Sequence, residues 1–508
     1  MPTILSAATV GLESYPIKVE ADISQGLPSF QIVGLGDTAV QEAKERVRSA
    51  IKNSKFRFPD THITINLAPA DIKKQGPAFD LPIALSILAA SKQIPWPKSD
   101  NLFAAELSLN GNLRPVNGVL SMSIMGKDKG IKNLFICRSN AREASLVSGH
   151  NIIAAKTLKE ICDHLKKSSS VEPYEKSEIE IDTKDDLTDF AHIKGQNQAK
   201  RALTIAAGGG HNILMIGPPG SGKTMLARSV PSILPSLSEE EMLEVTQIYS
   251  VAGLLTNNHA LITKPPFRSP HHSASSVSII GGGSWPRPGE ISLAHRGILF
   301  LDEFPEFERR VLEALRQPLE DNIVHISRAQ MSLTYPASFM LVASQNPCPC
   351  GYATDPDKDC VCSPHQMISY SKKISGPLID RIDMVIEVPK VPITQLANKV
   401  NKETKSAEIQ KLVATTRLLQ NKRFTKSKLT TNSEMKTIDI NHHCILSKKA
   451  NQLLTTAAAK LFLSARSYYR LIKISRTIAD LDNSKKIYSR HVAEGLQYRF
   501  KAEAVYSI

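Results

Sequence analysis

The sequence predicts an α/β protein whose central part is built on a parallel sheet, and three observations indicate this class. From about residue 190 to residue 390, short apolar runs alternate with segments of helical character. The run Ile213–Ile216 leads into a glycine-rich loop, and the run Ile298–Leu301 ends in two acidic residues. Continuous apolar runs are typical of strands covered on both faces, and polar residues that follow such strands lie at the ligand-binding edge of a parallel sheet.

The loop after Ile216 fits the phosphate-binding pattern G-x-x-x-x-G-K-[ST] without a mismatch. We expect all of its residues to bind ATP: Gly217, Pro218, Pro219, Gly220, Ser221, Gly222, Lys223 and Thr224. The glycines let successive backbone N–H groups turn toward the phosphates, and the helix that follows adds its positive N-terminal end. Lys223 is expected to reach the β- and γ-phosphates, and Thr224 to bind Mg²⁺. The alternative is a chance match in a Gly/Pro turn, which the flanking strand and helix disfavour.

Asp302 and Glu303 follow the second apolar run. We expect Asp302 to act on Mg²⁺ through water and Glu303 to polarise the attacking water. An apolar strand that ends in Asp-Glu is common and often has no function. Downstream of a phosphate loop, however, it predicts nucleotide hydrolysis.

The chain has 508 residues, which is too long for a single core. We expect a mixed α/β domain over residues 1–167, a polar linker over 168–190, an ATPase core over 191–390 and a helical domain over 391–508. The core carries a cysteine-rich insert over 348–362. No stretch approaches the roughly 20 apolar residues of a membrane span, and the first residues lack the basic start of a secretion signal. The protein is therefore expected in the cytoplasm, without a membrane partner.

The net charge of +14 is concentrated in the last quarter of the chain, where residues 391–508 contain 22 Lys and Arg against 8 Asp and Glu. Such a bias suggests a polyanionic partner, most commonly nucleic acid. Ordinary solvated helix faces remain an equal alternative for this feature taken alone.

Four cysteines form the pattern C-x-C-x₉-C-x-C: Cys348, Cys350, Cys360 and Cys362. Four thiolates suffice for tetrahedral zinc, although the gap within each pair is one residue shorter than usual. Free thiols or a redox pair are the alternatives, and His365 is a weaker candidate ligand.

The order of several segments along the chain resembles that in AAA+ ATPases, in the branch of magnesium-chelatase subunits and minichromosome-maintenance helicases. The resemblance rests on the phosphate loop, the acidic strand, the strand before Asn346, the Gly376–Asp383 stretch and the Leu463–Arg466 stretch. It implies that Asn346 orients the attacking water, that Arg381 is an arginine finger, and that Arg466 is the second sensor arginine of a C-terminal helical lid. An arginine supplied by a neighbouring subunit would complete each site only in a ring.

Longer segments narrow the resemblance to the magnesium-chelatase-like bacterial family: 267–272, 281–283, 286–295 and 346–351. The resemblance implies a homo-hexameric DNA helicase that uses ATP and Mg²⁺ to promote branch migration, with single-stranded and double-stranded or branched DNA as its partners. It further implies a role in homologous recombination during natural transformation, with recombination proteins as partners. The alternative within this family is a chelatase-type ATPase that drives metal insertion through partner proteins.

The first domain resembles the Lon protease domain in fold. That protease needs a serine and a lysine, but Ala78 and Leu120 occur in the corresponding stretches. Because Ala78 has no oxygen to deprotonate, we expect a scaffold and no Ser-Lys hydrolase.

Residues 323–335 alternate around a short polar turn, which predicts a β-hairpin. In helicases of this branch a hairpin at this place enters the ring channel, so the resemblance implies that Arg328 contacts the DNA backbone. Trp285 and Arg287 match the position of a second pore element. An ordinary surface hairpin is the alternative.

Overall fold

A computed structural model describes residues 2–175, 188–256, 260–283, 285–328, 331–392, 404–425, 427 and 429–506. The chain divides into two compact units. The first comprises Met1–Ile181 and Glu239–Ile262, and the second comprises Asp182–Ser238 and Thr263–Ile508.

The first unit contains strands and helices in mixed order, as the sequence predicts. Its strands are β1 Ile4–Val10, β2 Glu13–Ser24, β3 Ser29–Val33, β4 His62–Ala68, β5 Asn101–Ala104, β6 Glu106–Leu107, β7 Leu113–Arg114, β8 Asn133–Cys137 and β9 Asn151–Ala155. Its helices are α1 Thr38–Asn53, α2 Asp80–Ala90, α3 Val119–Asp128, α4 Ala141–Ala144 and α5 Leu158–Leu165.

Seven of these strands form one sheet in the order β3-β4-β2-β1-β5-β8-β9. The pairs β1–β2 and β2–β4 are antiparallel, and the other neighbours are parallel. Apart from Asp80 and Ser86, helix α2 consists of apolar residues, and it is buried throughout except at its last residue, as expected for a helix inside a core.

The first unit also contains the helix Glu239–Ala252, although the sequence assigns this stretch to the ATPase core. Hydrogen bonds explain the difference. Gln247 donates from Nε2 to the Leu12 carbonyl at 2.7 Å, and the Ser250 carbonyl accepts from the Gly118 N–H at 3.2 Å. We number this helix α8, because α6 and α7 precede it in the chain.

The second unit begins with the helices and strands that surround the phosphate loop. Its strands are β10 Ile213–Ile216, β11 Phe267–Arg268, β12 Gly281–Gly282, β13 Arg287–Pro288, β14 Ile298–Leu301, β15 Ile323–Arg328, β16 Met331–Pro336, β17 Met340–Gln345 and β18 Met384–Glu387. Its helices up to β18 are α6 Asn197–Gly209, α7 Lys223–Ser229, α9 Ser276–Ile280, α10 Glu290–Leu293, α11 Arg309–Ala314, α12 Pro318–Asp321, α13 Pro364–Ser371 and α14 Gly376–Ile379.

A five-stranded sheet organises this unit, in the order β11-β14-β17-β10-β18. Every neighbouring pair in it is parallel. All residues of β10, β14 and β17 are buried. The predicted α/β class with a parallel sheet is thus confirmed, and so are the apolar strands on which that prediction depended.

After β18 the described chain is helical. The helices are α15 Ser406–Arg423, α16 Thr437–His443, α17 Lys448–Lys460, α18 Ala465–Leu481 and α19 Ser489–Tyr506. The last four share an apolar cluster that includes Leu454 and Leu471, and Phe424, directly after α15, belongs to it as well. The function of this helical part as a lid stays a prediction.

Some expectations fall partly or wholly outside the described residues. They concern positions 176–187 of the expected linker, the hairpin positions 329 and 330, and positions 426 and 428 in the basic last quarter of the chain. Among the described residues, no helix combines the length and the apolar character that crossing a bilayer requires.

Candidate active site

Three neighbouring parallel strands bring the predicted ATPase residues to one edge of the second sheet. Gly217 follows β10, Asp302 follows β14, and Asn346 follows β17. Since β17 pairs with both β10 and β14 in parallel register, these three positions lie at carboxyl ends on the same edge. In open α/β sheets this edge is where ligands bind.

The phosphate loop requires glycine for two reasons, backbone conformation and space. Gly220 and Gly222 have φ angles of +75° and +91°, which residues other than glycine rarely adopt. Gly217 instead needs space, because a Cβ atom there would lie 2.1 Å from the Val388 carbonyl oxygen. Val388 holds the start of the loop in place by donating its N–H to the Ile216 carbonyl at 2.8 Å.

The Lys223 ammonium is buried inside this loop. Its Nζ donates to the carbonyls of Gly217 at 2.7 Å and Pro218 at 2.9 Å, and lies 3.4 Å from Asn346 Oδ1. Burial lowers the pKa of Lys223, and the nearby carboxylates of Asp302 and Glu303 oppose that shift. The loop lysine and the expected sensor amide are therefore direct neighbours.

Thr224 and Asp302 offer oxygen ligands at one point. Thr224 Oγ1 donates to Asp302 Oδ2 at 2.8 Å, and Ser344 Oγ donates to Asp302 Oδ1. Hydroxyl and carboxylate oxygens are the ligands that Mg²⁺ prefers. The donor set fits the Mg²⁺ that the family resemblance implies, with Thr224 and Asp302 as its protein contacts.

Glu303 has a left-handed backbone with φ +52°, which is uncommon outside glycine. Its half-exposed carboxylate lies 3.2 Å from His272 Nδ1. His272 follows β11, the strand next to β14, and no sequence motif assigns it a role. A two-residue strand gives almost no periodic signal, so the sequence could not reveal that His272 ends beside Glu303.

Arg381 and Arg466 meet at one carboxylate, that of Glu320 in α12. Arg381 NH2 lies 2.7 Å from Glu320 Oε2, and Arg466 NH2 lies 2.9 Å from Glu320 Oε1. Arg381 is buried and also donates to the Pro377 carbonyl at 2.7 Å. The two arginines that the resemblance assigns to hydrolysis thus form one cluster, which the sequence did not predict.

The two candidate DNA-binding elements pack against each other. β15 and β16 form the predicted hairpin, with Arg328 as the last residue of β15. β12 and β13 form a second, shorter hairpin; Arg287 on it is exposed, and Trp285 is half-buried in its turn. Tyr335 Oη donates to the Pro286 carbonyl at 2.9 Å and so ties the two hairpins together.

The four cysteine sulfurs form a compact group, and all ligand atoms lie within 4.8 Å of one another. Cys348 Sγ is 3.3 Å from Cys350 Sγ and 3.6 Å from Cys360 Sγ, and the latter two are also 3.6 Å apart. A zinc tetrahedron with Zn–S bonds of about 2.3 Å has S···S edges of about 3.8 Å. The donor set fits zinc in number and spacing.

In the first unit, Ala78 is buried in the turn Pro77–Phe79, and Leu120 is buried in α3. The Leu120 N–H donates to the Glu143 carboxylate at 2.9 Å. Neither position offers a nucleophile or a base, and the role of this unit as a scaffold stays a prediction.

We expect Glu320→Gln to lower the kcat of ATP hydrolysis about tenfold, because both arginines lose the charge that orients them. The affinity for ATP should change less than twofold, since within the described residues Glu320 pairs with Arg381 and Arg466 and not with a residue of the phosphate loop. Steady-state ATPase kinetics together with a nucleotide-binding titration measure both quantities.

Glu313→Gln is the matched control. Glu313 lies on the preceding helix, α11, and its carboxylate pairs with a different arginine, Arg316, at 2.6 Å. An unchanged kcat in Glu320→Gln would mean that Arg381 and Arg466 do not depend on Glu320.

Comparison with known proteins identifies the same family over nearly the whole chain. The family model of magnesium chelatase, subunit ChlI, matches residues 189–396. A second model, subunit ChlI of Mg-chelatase, matches residues 19–140, and the ChlI C-terminal model matches residues 403–499.

Two individual relatives match almost the whole chain, and a third matches part of it. Competence protein ComM of Haemophilus influenzae is 44% identical over 98% of this chain and 97% of its own length. The uncharacterized protein YifB of Escherichia coli is 42% identical over 97% of this chain and 96% of its own. Lon protease 2 of Bacillus subtilis is 33% identical over 24% of this chain and 22% of its own. The chain therefore belongs to the magnesium-chelatase-like family of AAA+ ATPases, together with ComM and YifB.

Proposed function

We propose that the protein is an ATP-driven DNA translocase that works as a homo-hexamer and promotes branch migration of DNA during homologous recombination. The observation that carries the ATPase part is the convergence of Lys223, Thr224, Asp302 and Asn346 at three neighbouring strand ends. The similarity to a competence protein over the full length supports natural transformation as the setting. Recombination proteins are the expected partners, and the cytoplasm is the expected compartment.

Each residue of the site has a part in hydrolysis. Lys223 offers its ammonium to the β- and γ-phosphates in place of the loop carbonyls, and Thr224 and Asp302 would hold Mg²⁺, which supplies charge neutralisation when bound. Glu303 polarises the attacking water, and Asn346, next to Lys223, orients it. Arg381 stabilises the charge that develops on the γ-phosphate bound by a neighbouring subunit, and Arg466 acts as the second sensor arginine of the helical lid.

The DNA part of the proposal is supported by the paired hairpins and by the basic helical part. Tyr335 joins the two hairpins, so Arg328 and Arg287 are carried by a single joined element. Contacts to the phosphate backbone carry no sequence information, which suits an enzyme that moves along any DNA. A chelatase-type ATPase would have no use for such a surface.

We further propose that Cys348, Cys350, Cys360 and Cys362 bind a structural zinc ion. The S···S distances near 3.6 Å support this assignment over dispersed free thiols. A thiolate is the form that binds metal.

Glu303→Gln should keep ATP affinity within about twofold and lower kcat at least 100-fold, because the carboxylate acts on water and not on the nucleotide. Branch migration of a synthetic four-way junction should stop as well. Nucleotide-binding titration, phosphate release and gel separation of the junction products measure the three effects.

The matched control is Glu306→Gln, which removes a neighbouring carboxylate that pairs with Lys373 at 2.9 Å. Hydrolysis at the wild-type rate in Glu303→Gln would refute the assigned role.

Arg328→Ala and Arg287→Ala should each weaken DNA binding equally for all sequences and reduce the salt-dependence slope of log K by about 1. ATP affinity without DNA should not change, because neither residue belongs to the phosphate loop. Fluorescence anisotropy with a labelled forked DNA at several salt concentrations measures the slope.

Arg57→Ala, at an exposed arginine of the first unit, controls for loss of positive charge. DNA affinity that stays at the wild-type value in both hairpin variants would exclude the hairpins as the DNA contact. An ATPase that is also indifferent to DNA would favour the chelatase-type function.

A further inference from the structure

The cysteine insert contacts the phosphate loop through one glycine. Gly351 follows the first cysteine pair and has a left-handed backbone with φ +87°. A Cβ atom there would lie 2.8 Å from both Cδ and Cγ of Pro219, and 3.8 Å from Asn346 Cγ. The insert backbone therefore packs on the proline at the tip of the phosphate loop, beside the sensor amide, and only glycine leaves room for this approach.

A second contact joins the insert to the strand on the other side of the loop. Lys390 follows β18 and lies 2.7 Å from Asp357 Oδ2 and 3.9 Å from Asp355 Oδ1. Gln196 Nε2 donates to the carbonyls of Pro389 at 2.6 Å and Ser221 at 3.2 Å, so the segment after β18 is itself bonded to the phosphate loop. The insert is thus connected to the loop directly at Gly351 and indirectly through Lys390 and Gln196.

The insert has little else to fix its conformation. Between Asn346 and α13, the described residues form turns and bends without a helix or strand. Cys350, Cys360 and Cys362 are half-buried, and Val361 between the last two is 84% exposed. A segment of this kind, with little apolar burial, loses its order unless ligation compensates the entropy of fixing its backbone.

We propose that metal bound by the four cysteines braces the phosphate loop, so that the metal occupancy of the insert sets the affinity of the enzyme for ATP. The inference deepens the proposed function, because it rests on ATP binding by the loop and on zinc binding by the cysteines. Ligation fixes Gly351 against Pro219, and this contact holds the loop and Asn346 in the geometry that receives the phosphates. Loss of the metal releases Gly351 and leaves the loop free to move.

The first test removes the metal. Purified protein should contain about one zinc per chain by elemental analysis. Cys360→Ser with Cys362→Ser should lose it, and a fluorescent ATP analogue should then bind about tenfold more weakly, with no DNA present. Readdition of zinc to metal-stripped wild type should restore the affinity, whereas the double variant should not respond.

Val361→Ser is the matched control, since it lies between the two altered cysteines and leaves all four thiols in place. It should keep both zinc and ATP affinity.

The second test separates the metal from the contact. Gly351→Ala keeps the four thiols and should retain zinc, but its Cβ would displace Pro219, so ATP affinity should fall although the metal is bound. Gly130→Ala controls for the left-handed backbone, because Gly130 has φ +71° with no atom within 4 Å of its Cβ position.

Absence of zinc in the purified protein, or full ATP affinity after its removal, would overturn the proposal. Full ATP affinity in zinc-loaded Gly351→Ala would overturn the proposed route through Pro219. Since both tests measure nucleotide binding without DNA, none of these results depends on whether the protein moves along DNA.

Discussion

Parallel pairing of β17 with β10 on one side and β14 on the other is the constraint on which the candidate site depends. This register brings the phosphate loop, Asp302 and Asn346 to the same edge of the sheet. The distances of 2.8 Å between Thr224 and Asp302 and 3.4 Å between Lys223 and Asn346 follow from it. A slip of one residue along a strand would turn these side chains to the opposite face and separate them.

The burial of these strands explains how several polar and charged side chains can be held in fixed positions at the strand ends. Each of the three is covered on both faces, so its position is fixed by apolar packing and not by the site itself. Because Gly217, Asp302 and Asn346 each come directly after one of these strands, the strands also fix the positions of the site residues. Gly217 keeps the loop close to the Val388 carbonyl, and Lys223 fills the space inside the loop.

The sequence was sufficient to predict features that depend on neighbouring residues. The buried strands, the hairpin over 323–335 and the cysteine group all have local patterns, and the structure contains each of them. Partners that are distant in the chain had no such signal. His272 beside Glu303, Glu320 between two arginines, and Gly351 on Pro219 all come from short elements or irregular loops, in which no periodicity indicates direction. Helix α8 was assigned to the ATPase core because its hydrogen-bond partners, Leu12 and Gly118, are also distant in the chain.

The most direct test of the central claim is the rate of ATP hydrolysis by the wild-type protein, measured with and without forked DNA at one protein concentration. A motor that moves along DNA should hydrolyse ATP several times faster when the fork is present, because the DNA contacts and the nucleotide sites act in one cycle. An identical rate under both conditions, with the DNA shown to be bound, would contradict the account.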